Sequence, residues 1–430
     1  METHAALLFG VFFLLVALSV PIGVSLGAAA LVYLFVNQEA IISLAQRAVI
    51  GTNSFLLVAV PFFVLAGNLM NTGGITRRLF RFASALVGRL PGGLGHANVV
   101  ANVIMAGMSG SAVADAAGLG TVQIPAMKEA GYDEDFSTGL TVAAATIGPI
   151  IPPSINMVVY AFLAEVSIGR MFLGGFVPGV FMAVSLMAIV YMYAVRRRYP
   201  KGPRMGIREI ATASLEAVPA LLTPVLLLGG MFIGVFTPTE AAVVASVYAL
   251  LLGWLWYRSI DLRGFYAACV GSLRITATTM FIMAMASVFA WALAREQIPQ
   301  AAAGFVFSIT ENKVLVLLMV NIVLLIAGCV LDAVSALIIL MPILLPIQKQ
   351  LGVDPIHYGV MVVFNITLGN ITPPVGMCLY VGSAVAQISL DRVVRATLPF
   401  LVPLLIVLAI ITYVPQTVLL LPNAVMGVGR

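Results

Sequence analysis

Two stretches of this sequence decide its fold: Gly148-Pro149-Ile150-Ile151-Pro152-Pro153-Ser154-Ile155-Asn156 and Gly369-Asn370-Ile371-Thr372-Pro373-Pro374-Val375-Gly376-Met377. Adjacent prolines remove two backbone donors and bar the preceding residue from the helical path, so a helix that reaches either pair must stop there. Both pairs lie inside long apolar regions. In hydrocarbon, carbonyls freed in this way persist only where protein covers them or where they line a cavity.

The surroundings are membrane-like throughout. Hydrophobic residues make up 61% of the 430 residues and charged residues 9%, against roughly 25% charged in ordinary soluble domains. A mean hydropathy of +1.10 is more apolar surface than a soluble core can hide. A span needs about 20 apolar residues, and the segments Leu7–Val36, Ser54–Met70, Phe172–Val195, Leu215–Phe236, Thr239–Tyr257, Phe265–Leu293 and Leu398–Leu421 qualify. The first is longer than a signal h-region and lacks a basic n-region, with only Glu2 and His4 ahead of it, so it reads as a retained helix. Two further regions, Ala97–Pro153 and Val314–Pro374, are apolar but punctuated by Gly, Pro, Ser and Asn.

Those two regions are copies of one another. Pro125, Lys128, Gly131 and Asp133 recur as Pro346, Lys349, Gly352 and Asp354 at a constant offset of 221 residues. The same offset, without a gap, carries Ala106-Gly107 onto Ala327-Gly328, Gly148 onto Gly369 and Pro152-Pro153 onto Pro373-Pro374. Charge gives the relative orientation: Arg77, Arg78, Arg81 and Arg89 precede the first copy, whereas the offset positions Ile298, Pro299, Ala302 and Thr310 carry no charge. Positive loops face the cytoplasm, so equivalent loops lie on opposite faces and the repeat is inverted. The basic loop Arg196, Arg197, Arg198, Lys201, Arg204, Arg208 and the Arg258–Arg263 turn then both lie inside. The expected fold is an all-α polytopic membrane protein with inverted repeats, two re-entrant helical hairpins and broken helices. The expected divisions are 1–90 (scaffold and first arm), 91–170 (first repeat's transport region), 171–310 (connecting scaffold and second arm), 311–396 (second repeat's transport region) and 397–430 (C-terminal helix).

Candidate chemistry gathers at the breaks. Residues 106–115, Ala-Gly-Met-Ser-Gly-Ser-Ala-Val-Ala-Asp, answer to 327–335, Ala-Gly-Cys-Val-Leu-Asp-Ala-Val-Ser, and each faces a proline break. Hard cations such as sodium take oxygen ligands of the kind that such backbone supplies. Asp115 and Asp332 are costly at membrane depth and therefore functional candidates, with a hydrogen-bonded structural role as the plain reading of Asp115. Kinked, closely packed helices are the corresponding plain reading of the Pro and Gly residues. Thr237-Pro238-Thr239-Glu240 reads as a capping box with Pro at the first helical position. Arg170 and Arg392 read as interfacial anchors. Cys269, Cys329 and Cys378 have no CxxC spacing, and His4, His96 and His357 lie far apart, with no HExxH or GxSxG. An intramembrane enzyme is therefore poorly supported, and no basic patch of nucleic-acid size exists.

The stretches MSGSAVADAAGLGTVQIPAMKEAGYDEDF (108–136), IGPIIPPSIN (147–156), FTPTEAAVVASVYALLLG (236–253) and VPFFVLAGNLMNTGGI (60–75) closely resemble the large membrane subunit of tripartite ATP-independent periplasmic (TRAP) transporters, over essentially the whole chain. The resemblance implies an elevator-type importer of organic acids such as C4-dicarboxylates or sialic acid. It also implies Na+ as coupling ion, no organic cofactor, and a place in the bacterial inner membrane. The implied partners are a small four-helix membrane subunit, a periplasmic substrate-binding protein and membrane lipid. One sodium site would use Gly107, Ser109 and Ser111 with Gly148, Ile151 and Pro152. The second would use Gly328 and Asp332 with Gly369, Thr372 and Pro373. Substrate would sit near Ser111, Asp115, Asn156 and Asn370. The competing transport reading is a stand-alone sodium/dicarboxylate or citrate carrier without a binding protein.

Overall fold

The computed structural model describes residues 2–202 and 206–427, so Arg204 of the basic loop lies outside the described residues. Helices fill it, and no strand occurs among the described residues. The first half runs α1 (Glu2–Ala17), α2 (Ile22–Val36), α3 (Ile42–Thr52), α4 (Ala59–Thr72), α5 (Ile75–Val87), α6 (Gly93–Ser109), α7 (Ala112–Gly118), α8 (Gly120–Glu129), α9 (Glu134–Ala145), α10 (Ile155–Leu163) and α11 (Ile168–Arg197). The second half runs α12 (Ile207–Phe232), α13 (Pro238–Leu251), α14 (Leu262–Arg295), α15 (Ile298–Ile309), α16 (Lys313–Val330), α17 (Ala333–Gln350), α18 (Pro355–Gly369), α19 (Met377–Ala386) and α20 (Leu390–Tyr413), before α21 (Gln416–Met426). Among the described residues, 8 helices are long and apolar enough to cross a membrane.

The 221-residue offset holds at the level of helices. It carries 112–129, the extent of α7 and α8, onto 333–350, the extent of α17, and it carries the start of α9 onto the start of α18. The two copies run antiparallel. Helix α20 is 24 residues long, about 36 Å at 1.5 Å per residue, and its two ends touch opposite copies. At its start, Arg392 pairs with Asp135 of α9 at 2.6 Å. Near its end, the Thr412 hydroxyl accepts from Asn321 of α16 at 3.2 Å, and the Ile411 carbonyl lies 2.7 Å from His357 Nε2 of α18. The broken helices therefore begin at opposite ends of one membrane-length helix, as an inverted repeat requires.

Packing interlocks the halves. Helix α2 lies on α14, where a Cβ on Gly23 would meet the Phe281 ring at 2.7 Å and one on Gly27 the Met285 sulfur at 2.6 Å. Helix α13 lies on α4, with the Ser246 hydroxyl donating to the Phe62 carbonyl (2.7 Å) and the Thr239 hydroxyl to the Phe55 carbonyl (3.0 Å). Each half thus lends its second helix to the other half's long arm. In each copy an asparagine ties the hairpin to its broken helix: Asn98 donates to Thr141 at 2.6 Å, and Asn365 to Asn321 at 2.6 Å.

The basic segments gather at one end. The Gly202 N–H donates to the Gly88 carbonyl at 2.8 Å, and the Ser259 hydroxyl to the Gly73 carbonyl at 2.5 Å. Asp133, beside this end, accepts from the Tyr199 hydroxyl and from Arg197, each at 2.5 Å. Those two donors hold its carboxyl below the usual carboxylate range, the Tyr199 bond contributing most.

Three expectations need correcting. Leu7–Val36 is two helices rather than one span: the chain turns at Leu18–Pro21, where Pro21 lacks a donor and Ser19 takes a φ of 62°. Leu398–Leu421 is likewise divided, because Pro415 interrupts the apolar run between α20 and α21. The arginine-rich segment 77–89 is largely the amphipathic helix α5, with Ile75, Leu79, Phe80 and Ala83 buried and Arg77 and Arg81 exposed at helical spacing. The capping box at Thr237 is present, its hydroxyl accepting from the Glu240 N–H at 3.3 Å while the exposed Glu240 carboxylate accepts from the Thr237 N–H at 2.8 Å.

Lys128 and Lys349, related by the offset, are both exposed at the bases of the hairpins. Single cysteines at these positions in a cysteine-free background are expected to react with an impermeant maleimide from opposite sides of the membrane. Labelling from one side would contradict the antiparallel arrangement.

Candidate functional site

The first hairpin turns at Gly110, which has a φ of 62°. A Cβ there would sit 2.6 Å from the Pro153 carbonyl oxygen, so both conformation and space demand glycine. Ser111 then caps α7, its hydroxyl accepting from the Ala114 N–H at 3.4 Å. In the second hairpin Asp332 holds the same place: Oδ2 accepts from the Ser335 N–H at 3.1 Å and Oδ1 from the Ser335 hydroxyl, which caps α17.

Each hairpin rests on the break of its own copy. After α9 the chain runs through short turns to Pro152-Pro153, a cis pair, and Ser154 restarts the helix by accepting from the Met157 N–H at 3.2 Å and donating to the Pro149 carbonyl. After α18 the second cis pair, Pro373-Pro374, leads to Gly376, whose N–H donates to the Cys329 carbonyl of the hairpin at 3.1 Å. The contact between Gly328 and Gly369 is backbone against backbone. A Cβ on Gly369 would lie 2.3 Å from the Gly328 carbonyl carbon, and one on Gly328 would lie 2.8 Å from the Ile366 carbonyl oxygen.

Both tips and both breaks meet around one cavity of about 120 Å³. Of the predicted substrate residues, Ser111, Asn156 and Asn370 line it, and so does Asp332; Ile275 and Thr279 of α14 close one side. Asp115 is not among the lining residues. It is fully buried on the other side of the break, where a Cβ on Gly148 would lie 2.3 Å from its Oδ2. Its one polar side-chain neighbour is the buried Ser109 hydroxyl, and among the described residues no cationic side chain or backbone N–H meets its carboxyl oxygens; the buried Asn370 Oδ1 has no partner either. Unpaired buried oxygens are costly unless something donates to them or is coordinated by them.

Five of the six residues predicted for the first ion site lie around the first break, whereas Ser111 lines the shared cavity. Gly107 faces the Pro152 carbonyl, with 3.8 Å from an ideal Cβ to the oxygen, and Ser109, Gly148 and Ile151 surround the same break. In the second set Gly328 abuts Gly369, the Thr372 hydroxyl donates to the Leu368 carbonyl at 2.8 Å, and Pro373 is exposed. Among the described residues no three His, Cys, Asp or Glu side chains converge, so the available donors are hydroxyls, carbonyls and single carboxylates. The sequence reading missed Gly67 and Pro224, which close over the first hairpin: a Cβ on Gly67 would lie 3.2 Å from Ser109 Cα, and one on Gly107 2.7 Å from the Pro224 ring. Pro224 was visible only as a proline inside an apolar helix. Gly67 stood inside the family-like stretch 60–75 with no site role attached to it.

Residues 9–417 match the family model of the tripartite ATP-independent periplasmic transporter DctM component. The chain belongs to the DctM family. It is 44% identical over 424 residues, 98% of this chain and 99% of the relative, to the sialic acid TRAP transporter large permease protein SiaM of Vibrio cholerae serotype O1. It is 43% identical over 400 residues, 93% of this chain and 94% of the relative, to the C4-dicarboxylate TRAP transporter large permease protein DctM of Pseudomonas aeruginosa. The 2,3-diketo-L-gulonate TRAP transporter large permease protein YiaN of Escherichia coli is 36% identical over 408 residues, covering 94% of this chain and 96% of the relative. Among solved structures, the Alcanivorax borkumensis YdaH transporter shares the fold, with a TM-score of 0.64 at 14% identity and 86% of each chain covered.

In this DctM-family chain the two copies have unequal surroundings. Pro152 and Pro153 are buried beneath Gly107 and Pro224, whereas Pro373 and Pro374 are exposed, as are Ile326 (63%) and Val330 (50%) on the second hairpin. Both hairpins pack on surrounding helices, the first on α4, α5 and α12 and the second, through α17, on α14 and α15, but only the second leaves its proline pair exposed.

Gly369→Ala is expected to lower the thermal unfolding temperature of the purified chain markedly, since forcing a methyl into packed backbone costs about 1–3 kcal/mol or more. Gly229→Ala, where nothing lies within 4 Å of the new methyl, is the matched control and is expected to change little.

Proposed function

We propose that this chain is the permease of a sodium-coupled tripartite importer that carries an organic anion across the bacterial inner membrane by an elevator movement. The observation that carries the reading is the buried Asp115 carboxyl, with only the Ser109 hydroxyl as a polar side-chain neighbour, beside the broken-helix backbone at Gly148. A carboxyl and a hydroxyl oxygen with no cationic or backbone partner suit a hard cation. The first sodium site would combine Asp115 and Ser109 with backbone of Gly107, Gly148, Ile151 and Pro152. The second would use Gly328, Gly369, Thr372 and Pro373. Asp332 lines the shared cavity and has both oxygens engaged by Ser335, which favours a role at the substrate with Ser111, Asn156 and Asn370.

The names of the relatives, for sialic acid, C4-dicarboxylates and 2,3-diketo-L-gulonate, support an organic acid as substrate and transport rather than catalysis. The buried first proline pair against the exposed second supports alternation between two states that exchange the surroundings of the copies. The small membrane subunit and the periplasmic binding protein follow from the family, as the tripartite description of the DctM component implies.

In proteoliposomes, uptake is expected to require an inward sodium gradient. Asp115→Asn should raise the sodium concentration for half-maximal uptake by about tenfold or more, because it removes the carboxylate that the bound cation would hold in its charged form, and a tenfold change corresponds to about 1.4 kcal/mol. Equal uptake with potassium in place of sodium would refute the coupling.

Reconstituted alone, the chain is expected to import no free substrate, while addition of the small subunit and loaded binding protein restores sodium-driven uptake. Comparable transport by the chain alone would instead favour a stand-alone carrier.

A further inference from the structure

On the basic end of the molecule, away from both breaks, lies a cavity of about 530 Å³ between the last turn of α4, helix α5, helix α8 and helix α12. Its charged lining is Arg77, Arg78, Arg81 and Glu216, an excess of two positive charges, with Asn71 and Thr121 as polar walls. Two of the arginines are held in place by protein. Arg78 donates to the Gly74 carbonyl at 3.0 Å and lies 4.2 Å above the Tyr257 ring, and Arg81 pairs with Glu216 at 3.2 Å. Arg77 has no hydrogen-bond or ion-pair partner among the described residues, yet it lines the same cavity. The N-terminus of α5 opens there too, starting at Gly74 with no side-chain cap, so its first-turn N–H groups add donors.

A second cavity of about 420 Å³ shares Arg78 and Glu216 with the first and is otherwise lined by Thr212, Leu215, Trp256 and Tyr257. Leu215 and Trp256 are 72% and 68% exposed. An aromatic and aliphatic rim beside fixed guanidinium groups is the chemistry of the headgroup zone, where indole and phenol rings sit at the lipid boundary and arginine forks bind phosphate.

We propose that the paired cavities form an oxyanion site whose occupant is the phosphate of an anionic phospholipid, seated on Arg77 and Arg78 with its glycerol and acyl chains against Leu215 and Trp256. Glu216 opposes the anion and limits its affinity. Because α8 belongs to the first hairpin's return and α5 and α12 do not, the lipid bridges the hairpin to the helices around it.

The test is lipid retention by native mass spectrometry on the full chain released from nanodiscs of phosphatidylcholine mixed with phosphatidylglycerol. Wild type is expected to retain phosphatidylglycerol in preference to phosphatidylcholine. Arg77→Gln, which removes a side chain without protein partners, should weaken retention about fivefold, the factor corresponding to 1 kcal/mol per basic side chain near an anionic surface. Glu216→Gln should strengthen it. Equal retention by wild type and both variants would overturn the site. A second arm adds inorganic phosphate to the chain in pure phosphatidylcholine nanodiscs and reads the unfolding temperature. No shift is expected, and a shift in wild type that Arg77→Gln abolishes, without preferential lipid retention, would make this a soluble-anion site and overturn the lipid assignment.

Discussion

Everything in this molecule answers to one constraint: a peptide carbonyl in an apolar solvent must meet a donor, a cation or a water-lined space. Two proline pairs create such carbonyls at two depths of the chain, and the fold is the arrangement that covers them. Close cover requires neighbours without side chains, which explains why Gly328 lies on Gly369 and Gly110 on the Pro153 carbonyl. The hairpins are therefore lids over broken backbone. Their tips carry polar caps, Ser111 and Asp332, that terminate the lids and line the enclosed space at once.

Inversion turns two separate coverings into one site. Had the copies run parallel, their tips would lie at equivalent depths but would not approach from opposite faces. Antiparallel copies meet tip to tip, and the cavity between them takes residues from both hairpins, both breaks and the α14 brace. The chemistry is nonetheless asymmetric. The first copy holds a buried carboxylate at Asp115, and the offset position in the second is Ala336; the second holds a carboxylate at Asp332, and the offset position in the first is Ser111. Each copy thus contributes one acid at a different place, one sealed behind a break and one facing the cavity.

Much of this was legible in the residues. The proline pairs and the gapless offset gave the broken helices, the hairpins and the inversion, because register survives in sequence when both copies must bend at the same places. The charge of Arg77–Arg89, absent at the offset positions, pointed to the opposite orientation of the two copies. Helix ends inside apolar runs were less legible: Pro21 and Pro415 divide stretches whose hydropathy is continuous, and a proline alone does not say whether a helix continues, like α12 through Pro219 and Pro224, or stops. The site divided in the same way. Backbone positions near Gly107, Gly148, Gly328 and Gly369 followed from the motif, but the side of the break on which Asp115 sits depends on the rotation of α7, which no spacing in the sequence encodes. Gly67 was beyond reach because its role is to be absent at a contact made from another helix.

The exchange of second helices between the halves has a consequence for biosynthesis. Gly23 and Gly27 present α2 to Phe281 and Met285, residues made 258 positions later. At chain growth of about 5–20 residues per second, that interval lasts roughly 10–50 s. Throughout it the first half sits in the bilayer with the glycine face of α2 against lipid and its arm α4 still without α13. The ribosome therefore delivers a half-built membrane protein that no local folding can finish, and its lifetime in that state is set by translation, with lipid or an insertase standing in for helices not yet made.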